Sequence, residues 1–359
     1  MRRVVVLAAL ALLVGCGSEG DSITAGGRVI GPNVTVYSSL PDPARGVSRD
    51  LVDAQKLALL QAGGRAGELG VNFVSVDEGP AAADAPARVA ANAAEDVIRD
   101  SQVIAVIGGL RSHAARTSIP LFNAAGILHV SPGAGYAGFT EPVAPGEPDR
   151  WYPTGTPTFS RLIGDDLVQA EALLAAARRA GGARVAVEAE AGPEAEGLVA
   201  ALARADAADD RVRLTADPAR AGAVIYAGTD PESAAGVAAA LAGENPAAAI
   251  VLPDELTRAG VAERLAPAAR RRAVLVSSAP APGSTAELRA FEAGFEAEFG
   301  RRPGRYAAIA WLGMRRVLEA VEAAGPRGSL RSAVIEAYRA LPAPPRQRFT
   351  SFRARSSGA

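Results

Sequence analysis

The chain is poor in the side chains on which much enzyme chemistry depends. Its 359 residues include one cysteine, Cys16, and two histidines, His113 and His129, and of its 38 lysines and arginines only Lys56 is a lysine. One cysteine excludes an intrachain disulfide, and one cysteine with two histidines falls short of a structural zinc cluster. Lys56 stands in Gln55-Lys56-Leu57, not in the Gly-Lys-Ser/Thr of a phosphate-binding loop, and a lysine Schiff base would have to use that same residue. The Gly-x-Ser-x-Gly elbow of serine hydrolases does not occur. Ser112 and His113 are neighbours, but adjacent residues on a helix diverge by about 100°, a poor arrangement for a nucleophile and its base. Carboxylates are plentiful, so a secreted hydrolase using Asp or Glu is the enzymatic alternative. The formal charge of −1 lacks the basic excess of a nucleic-acid binder. These absences remove the usual sites for thiol, lysine and structural-metal chemistry, so neither a cofactor nor a metal is expected.

The N-terminus is distinctive. Met1-Arg2-Arg3 precedes an apolar run over 4–14, the pattern of a secretory signal and too short for a bilayer span of about 20 residues. Leu13-Val14-Gly15-Cys16 resembles the lipobox of bacterial lipoproteins, which implies cleavage before Cys16 and lipidation of its thiol. The alternative is an ordinary signal peptide with an incidental cysteine. The expectation is a signal peptide over 1–15 and a Gly/Ser-rich tether over 16–30, with the chain exported and lipid-anchored on the outer face of the cytoplasmic membrane.

Beyond the tether, short apolar runs alternate with helical patterns. Strands are expected at 34–38, 71–76, 103–107 and 127–130, and helices at 47–62, 84–100 and 112–125. A second series has helices at 165–180, 194–205 and 232–241 and strands at 184–187, 223–226, 249–252 and 273–276. Helices at 285–299, 306–324 and 330–341 and an extended piece at 348–353 follow. This rhythm predicts an α/β fold of parallel sheets covered by helices, and the length exceeds what one core usually fills. Proline-rich breaks at 141–157, 279–284 and 342–345 suggest three passages between two lobes, hence a hinge. The expected division is 31–144 plus 283–330 for the first lobe and 145–282 plus 331–359 for the second lobe and the hinge return.

Four blocks carry a family resemblance. They are Leu40-Pro41-Asp42-Pro43-Ala44-Arg45-Gly46 with Gly63-Gly64-Arg65-Ala66-Gly67, the run Val103 through Ser112, Ala125 through Pro132, and Phe291, Phe295, Phe299, Gly300 and Tyr306. In order and spacing they resemble the type I periplasmic solute-binding proteins of the leucine/isoleucine/valine-binding kind. The resemblance implies two Rossmann-like doubly wound lobes joined by a three-strand hinge, a ligand cleft between them, and delivery of a small amino-acid-like solute to an ABC permease by a monomer.

It also implies ligand contacts. The loop carrying Leu110 and Ser112 would offer a hydroxyl and a helix N-terminus, which suits a carboxylate, although Ser112 could serve only as a cap. The loop of Gly133, Ala134, Gly135 and Tyr136 would offer backbone groups. Gly135 stands where a hydroxyl is usual, and Tyr136 either compensates or packs on the cleft wall. Tyr226 would place an aromatic beside the ligand. Asp254 would hold an ammonium or cap a helix. The family's Tyr-Gly pair is replaced by Ala191-Gly192, which departs from a branched-chain amino acid site. Arg161, near Phe159 and Gln169, would either hold a second ligand carboxylate bidentately or pair with Asp165 or Asp166 at the hinge, the reading favoured here. Trp151 and Tyr152 are candidate cleft aromatics, whereas His129 and Trp311 are expected in the core. The missing contacts leave open a second reading: an envelope sensory receptor of the same fold, not committed to transport.

Overall fold

The computed structural model describes residues 27–79, 87–208, 213–342 and 349–354. The signal segment, Cys16 and most of the expected tether lie outside the described residues. The tether's last residues already belong to the fold: Val29 is buried, and its N–H donates to the carbonyl of Ser329.

The first lobe begins with β1 (Asn33–Leu40), α1 (Gly46–Gln61), β2 (Arg65–Ala66), β3 (Leu69–Asp77) and α2 (Ala87–Arg99). It continues with β4 (Val103–Gly108), α3 (Ser112–Ala124), β5 (Leu128–Ser131) and β6 (Phe159–Arg161). The sheet order is β2-β3-β1-β4-β5-β6, parallel except for the β2–β3 hairpin. Every residue of β4 is buried, as a β-branched strand covered on both faces requires.

The second lobe holds α4 (Asp166–Gly181), β7 (Arg184–Ala189), α5 (Pro193–Ala208), β8 (Arg213–Thr215), β9 (Ala223–Ala227) and α6 (Pro231–Glu244). It goes on through β10 (Ala249–Leu252), the short helices α7 (Asp254–Arg258), α8 (Val261–Arg264) and α9 (Pro267–Arg270), and β11 (Ala273–Ser277). The Asp165 carboxylate caps α4 by accepting from the N–H groups of Leu167 and Val168. The chain then returns to the first lobe for α10 (Ala286–Phe299), α11 (Ala307–Ala323) and α12 (Arg331–Ala340). Thr285 caps the start of α10, and Gly300 ends it at φ +67°, a left-handed cap that glycine adopts without strain. Finally β12 (Thr350–Arg353) pairs antiparallel with β11 at the edge of a sheet ordered β12-β11-β10-β9-β7-β8.

Two parallel doubly wound sheets are thus present, as expected, but the lobes divide differently. The Pro-rich stretch 141–157 is not a crossing. It folds back on the first lobe, where Trp151 and Tyr152 join Phe139, Phe159 and Ile119 in a buried cluster, so both aromatics are core rather than cleft. The first crossing comes after β6, at 162–165. Likewise α12 belongs to the first lobe, because Ala333, Val334, Ile335 and Tyr338 are buried in the same core as α1 and α11. Only β12 carries the chain back to the second sheet. His129 is buried, with Phe122 and Phe159 at its ring edges and Nε2 3.2 Å from the Gly108 carbonyl. Trp311 is buried too, its indole N–H donating to Gln61.

Candidate functional site between the lobes

In a doubly wound sheet, ligands bind beyond the carboxyl ends of the strands where the strand order reverses. In the first sheet that point lies between β1 and β4, whose following loops contain Pro41, Asp42, Arg45, Leu110 and Arg111. In the second it lies between β7 and β9, followed by Glu190, Ala191, Thr229 and Asp230. All nine of these residues line one cleft of about 900 Å³. The two reversal points therefore face each other.

Each side of the cleft is built on a carboxylate that gathers several hydrogen bonds, buried Glu78 in the first lobe and half-buried Glu190 in the second. In the first lobe Glu78, just past β3, accepts from the N–H groups of Gly109 at 2.9 Å and Leu110 at 3.0 Å and from the Ser39 hydroxyl at 3.4 Å. Burial nonetheless pushes its carboxyl up to about 7. In the second lobe Glu190 accepts from the Thr229 N–H and hydroxyl, the Asp230 N–H and the Tyr226 hydroxyl. The loops after β4 and β9 are thereby fixed from beneath.

Side chains cross between the lobes. Arg111, 9% exposed, donates to Glu255 at 3.3 Å and to the Thr229 carbonyl at 3.4 Å. In the other direction Arg258, 6% exposed, donates to the Gly133 carbonyl at 3.2 Å. The Asp166 N–H donates to the Gly135 carbonyl at 2.8 Å. Burial raises the Asp166 carboxyl to about 7 against the pull of Arg161, and burial beside Arg111 and Arg116 holds His113 down near 4. A third arginine, Arg116, comes within 3.9 Å of Glu194 across the cleft.

The residues expected to touch a ligand divide into two groups. Leu110, Ser112, Gly133, Ala134, Gly135 and Tyr136 do come together, since the Ser112 hydroxyl accepts the Tyr136 N–H at 3.0 Å and the Ser131 hydroxyl accepts those of Gly133 and Ala134. Ser112 does not cap its helix; Arg111 occupies that position without a side-chain bond. Gly135 has a steric reason, because a Cβ there would lie 2.8 Å from Asp166 Oδ1.

Tyr226 and Asp254 are engaged elsewhere. The Tyr226 hydroxyl is held by Glu190. Asp254, 2% exposed, accepts from the Ser278 N–H at 2.6 Å, the Ser278 hydroxyl at 2.9 Å, the Tyr306 hydroxyl at 2.7 Å and Arg258 at 3.4 Å. It is neither an open ammonium acceptor nor a helix cap but a junction tying α7 to β11 and to the start of α11. Arg161 spends its hydrogen bonds on the carbonyls of Gly135 and Tyr136 and on Thr140, clamping the cleft loop, while Asp165 and Asp166 act on it through charge alone.

The sequence reading missed Arg111, Arg116, Glu190, Glu194, Glu255 and Arg258. Only Arg116 had a local signal, lying four residues after Ser112 and so on the same helix face.

Two doubly wound lobes with facing reversal points, polar walls and three crossings define a cleft-binding protein of the two-lobed kind. The family model described as "Periplasmic binding protein" matches residues 42–355, and the chain belongs to that family. No curated protein matches the sequence. Among solved structures, an ABC transporter substrate-binding protein from Desulfitobacterium hafniense in complex with Leu is similar, with TM-score 0.69 and 14% identity over 86% of this chain and 89% of that one. A solute-binding protein of an ABC transporter from R. palustris in complex with benzoate gives TM-score 0.68 and 18% identity over 90% and 94% of the two chains. A leucine-binding protein from Thermotoga maritima gives 0.65 and 19% over 85% and 87%.

Proposed function

We propose that this protein is the extracytoplasmic substrate-binding component of an ABC importer, taking one small polar solute between its lobes, an amino acid or a related acid, without chemical change. The observation that carries the reading is the meeting of both reversal-point loop sets in one cleft crossed by Arg111 and Arg258. Binding would favour the closed arrangement only through contacts made to both lobes at once, and these loops supply such contacts. The solutes named for similar structures, leucine and benzoate, both carry a carboxylate and match the arginines here. Export, lipidation at Cys16 and a monomeric state complete the proposal, with the permease as partner.

A thermal-shift screen of the chain from residue 16 onward, against amino acids, aromatic and aliphatic acids, amides and polyamines, tests it. A ligand at 100 times its Kd stabilises the native state by about 2.7 kcal/mol, so a true solute gives a clear rise in Tm. No rise with any member of the panel counts against the reading. The engagement of Tyr226 and Asp254 in internal bonds favours keeping the sensory receptor as a second reading. Deletion of the gene separates the two: lost uptake of the identified solute supports transport, and unchanged uptake supports sensing.

A further inference from the structure

One pair of side chains in the interface is incompletely bonded in an informative way. Arg116 Nε and Nη2 are buried and have no hydrogen-bond partner, and neither does Glu194 Oε1, which faces them from the second lobe. The Glu194 side chain is nine-tenths buried, and the 3.9 Å separating it from Arg116 is too long for a hydrogen bond. Buried polar groups in native proteins are nearly always satisfied, so such a set calls for a partner. Nε and Nη2 form one edge of the planar guanidinium, with two parallel N–H groups at the spacing of carboxylate oxygens.

The surroundings hold that edge in place. The Arg116 guanidinium carbon lies 4.6 Å from the centre of the Tyr136 ring and 5.4 Å from that of Trp151, cation–π contacts that favour its position. Tyr136 is itself fixed through its N–H on Ser112 and its hydroxyl on Glu147. Beside Arg116 opens a cavity of about 310 Å³ whose walls include Tyr136, Val143, Leu167, Gly197 and Ala201. Gly197 faces it closely, since a Cβ there would come within 3.1 Å of the Tyr136 ring and push against it.

We infer that Arg116 anchors the carboxylate of the transported solute through its Nε–Nη2 edge, that Glu194 meets a polar group of the same solute from the second lobe, and that the adjoining cavity takes an apolar body, so that the ligand class is a small organic acid with a ring or branched chain. This deepens the proposed function and rests on its reading of the cleft. Burial also raises the Glu194 carboxyl from its ordinary value, against the pull of Arg116.

The test pairs each acid with its uncharged amide, benzoate with benzamide and L-leucine with L-leucinamide, in calorimetric titrations of the wild type, Arg116→Gln and Arg116→Lys, with Tm and circular dichroism verifying that each variant folds. At least one acid should bind the wild type about 100-fold tighter than its amide, the scale of a buried charge pair losing one partner. Arg116→Gln should bring the pair within a few-fold, and Arg116→Lys should restore only part of the preference, because an ammonium lacks the two-pronged edge. Equal binding of acid and amide to the wild type, or a preference that survives in Arg116→Gln, overturns the inference and leaves the cleft reading standing. Failure of both acids while sugars or polyamines bind does the same. Failure of acids, amides, sugars and polyamines alike overturns both.

Discussion

The Ser112 hydroxyl accepts the backbone N–H of Tyr136 at 3.0 Å, so one short bond joins the loop after β4 to the loop after β5. Leu110 and Arg111 lead into the first, and Gly133 through Gly135 form the second. Ser112→Ala leaves the half-buried Tyr136 N–H without this acceptor. Denaturant unfolding should show a loss of about 1 kcal/mol. Because Tyr136 is the platform beneath Arg116, acid affinity should fall as well. A variant with unchanged stability and unchanged affinity would mean that the bond has no such role.

Closure of the lobes depends on a small residue at position 197. Gly197→Phe places a ring where even a Cβ would lie 3.1 Å from Tyr136. Both sheets and their cores lie outside this contact, so the variant should fold, with a helix relieved of a glycine. Small-angle scattering should report a larger radius of gyration than for the wild type, and ligand affinity should drop by at least tenfold. Unaltered affinity would place the binding site away from this face.

Glu78 makes stability depend on pH in a direction opposite to that of most carboxylates. Its folded value of about 7 lies above the ordinary 4.5. Between these values the folded chain keeps a proton that the unfolded chain has released. Its contribution is therefore fully present below about 4.5, declines as pH rises through the window and is gone above about 7, a change of about 3 kcal/mol. His113 and His129, both held near 4 by burial, work in the opposite sense between about 4 and 6.5, but they are common to wild type and variant. The Tm of Glu78→Gln minus that of the wild type should thus rise from pH 5 to pH 8. A difference that stays flat would show that Glu78 titrates normally.

Asp254 gives a sharp distinction between a structural junction and a ligand contact. Asp254→Ala strips the partners from the buried Arg258, Tyr306 and Ser278 and should cost about 3–5 kcal/mol, the range for removing one member of a buried ion pair. Asp254→Asn keeps acceptors for two of the donors and should cost less. Both losses should appear in the protein without any ligand, measured by chemical denaturation. A wild-type unfolding curve for Asp254→Ala, accompanied by weakened binding, would reinstate it as a ligand contact.

Much of the frame was legible because it is written in continuous segments. The run at 103–107 is apolar and β-branched, and it became the fully buried β4. The glycine after Phe299 and the threonine before α10 marked the helix limits closely. Lobe membership was less legible. The apolar face of α12 suits either core, and nothing local in Ala333, Val334 and Ile335 selects the first lobe. β6 is three residues long, too short for a period to show, and the prolines before it marked a surface fold-back instead of a crossing. The cleft was half legible. Residues in the loops after β4 and β5 follow from strand ends, but Arg116 and Glu194 lie on different lobes and meet only in the folded chain. For Asp254 the sequence shows a position that suits a ligand but not its bonds to Ser278 and Tyr306, which are distant in sequence.

The most direct test of the central claim is recovery of the bound solute. The chain is saturated with a solute that raises its Tm, freed of excess by dialysis and denatured, and the released compound is weighed by mass spectrometry. The account predicts one equivalent per chain at unchanged mass, and none from Gly197→Phe treated identically. A product of altered mass, or full retention by Gly197→Phe, would contradict capture without chemistry between these two lobes.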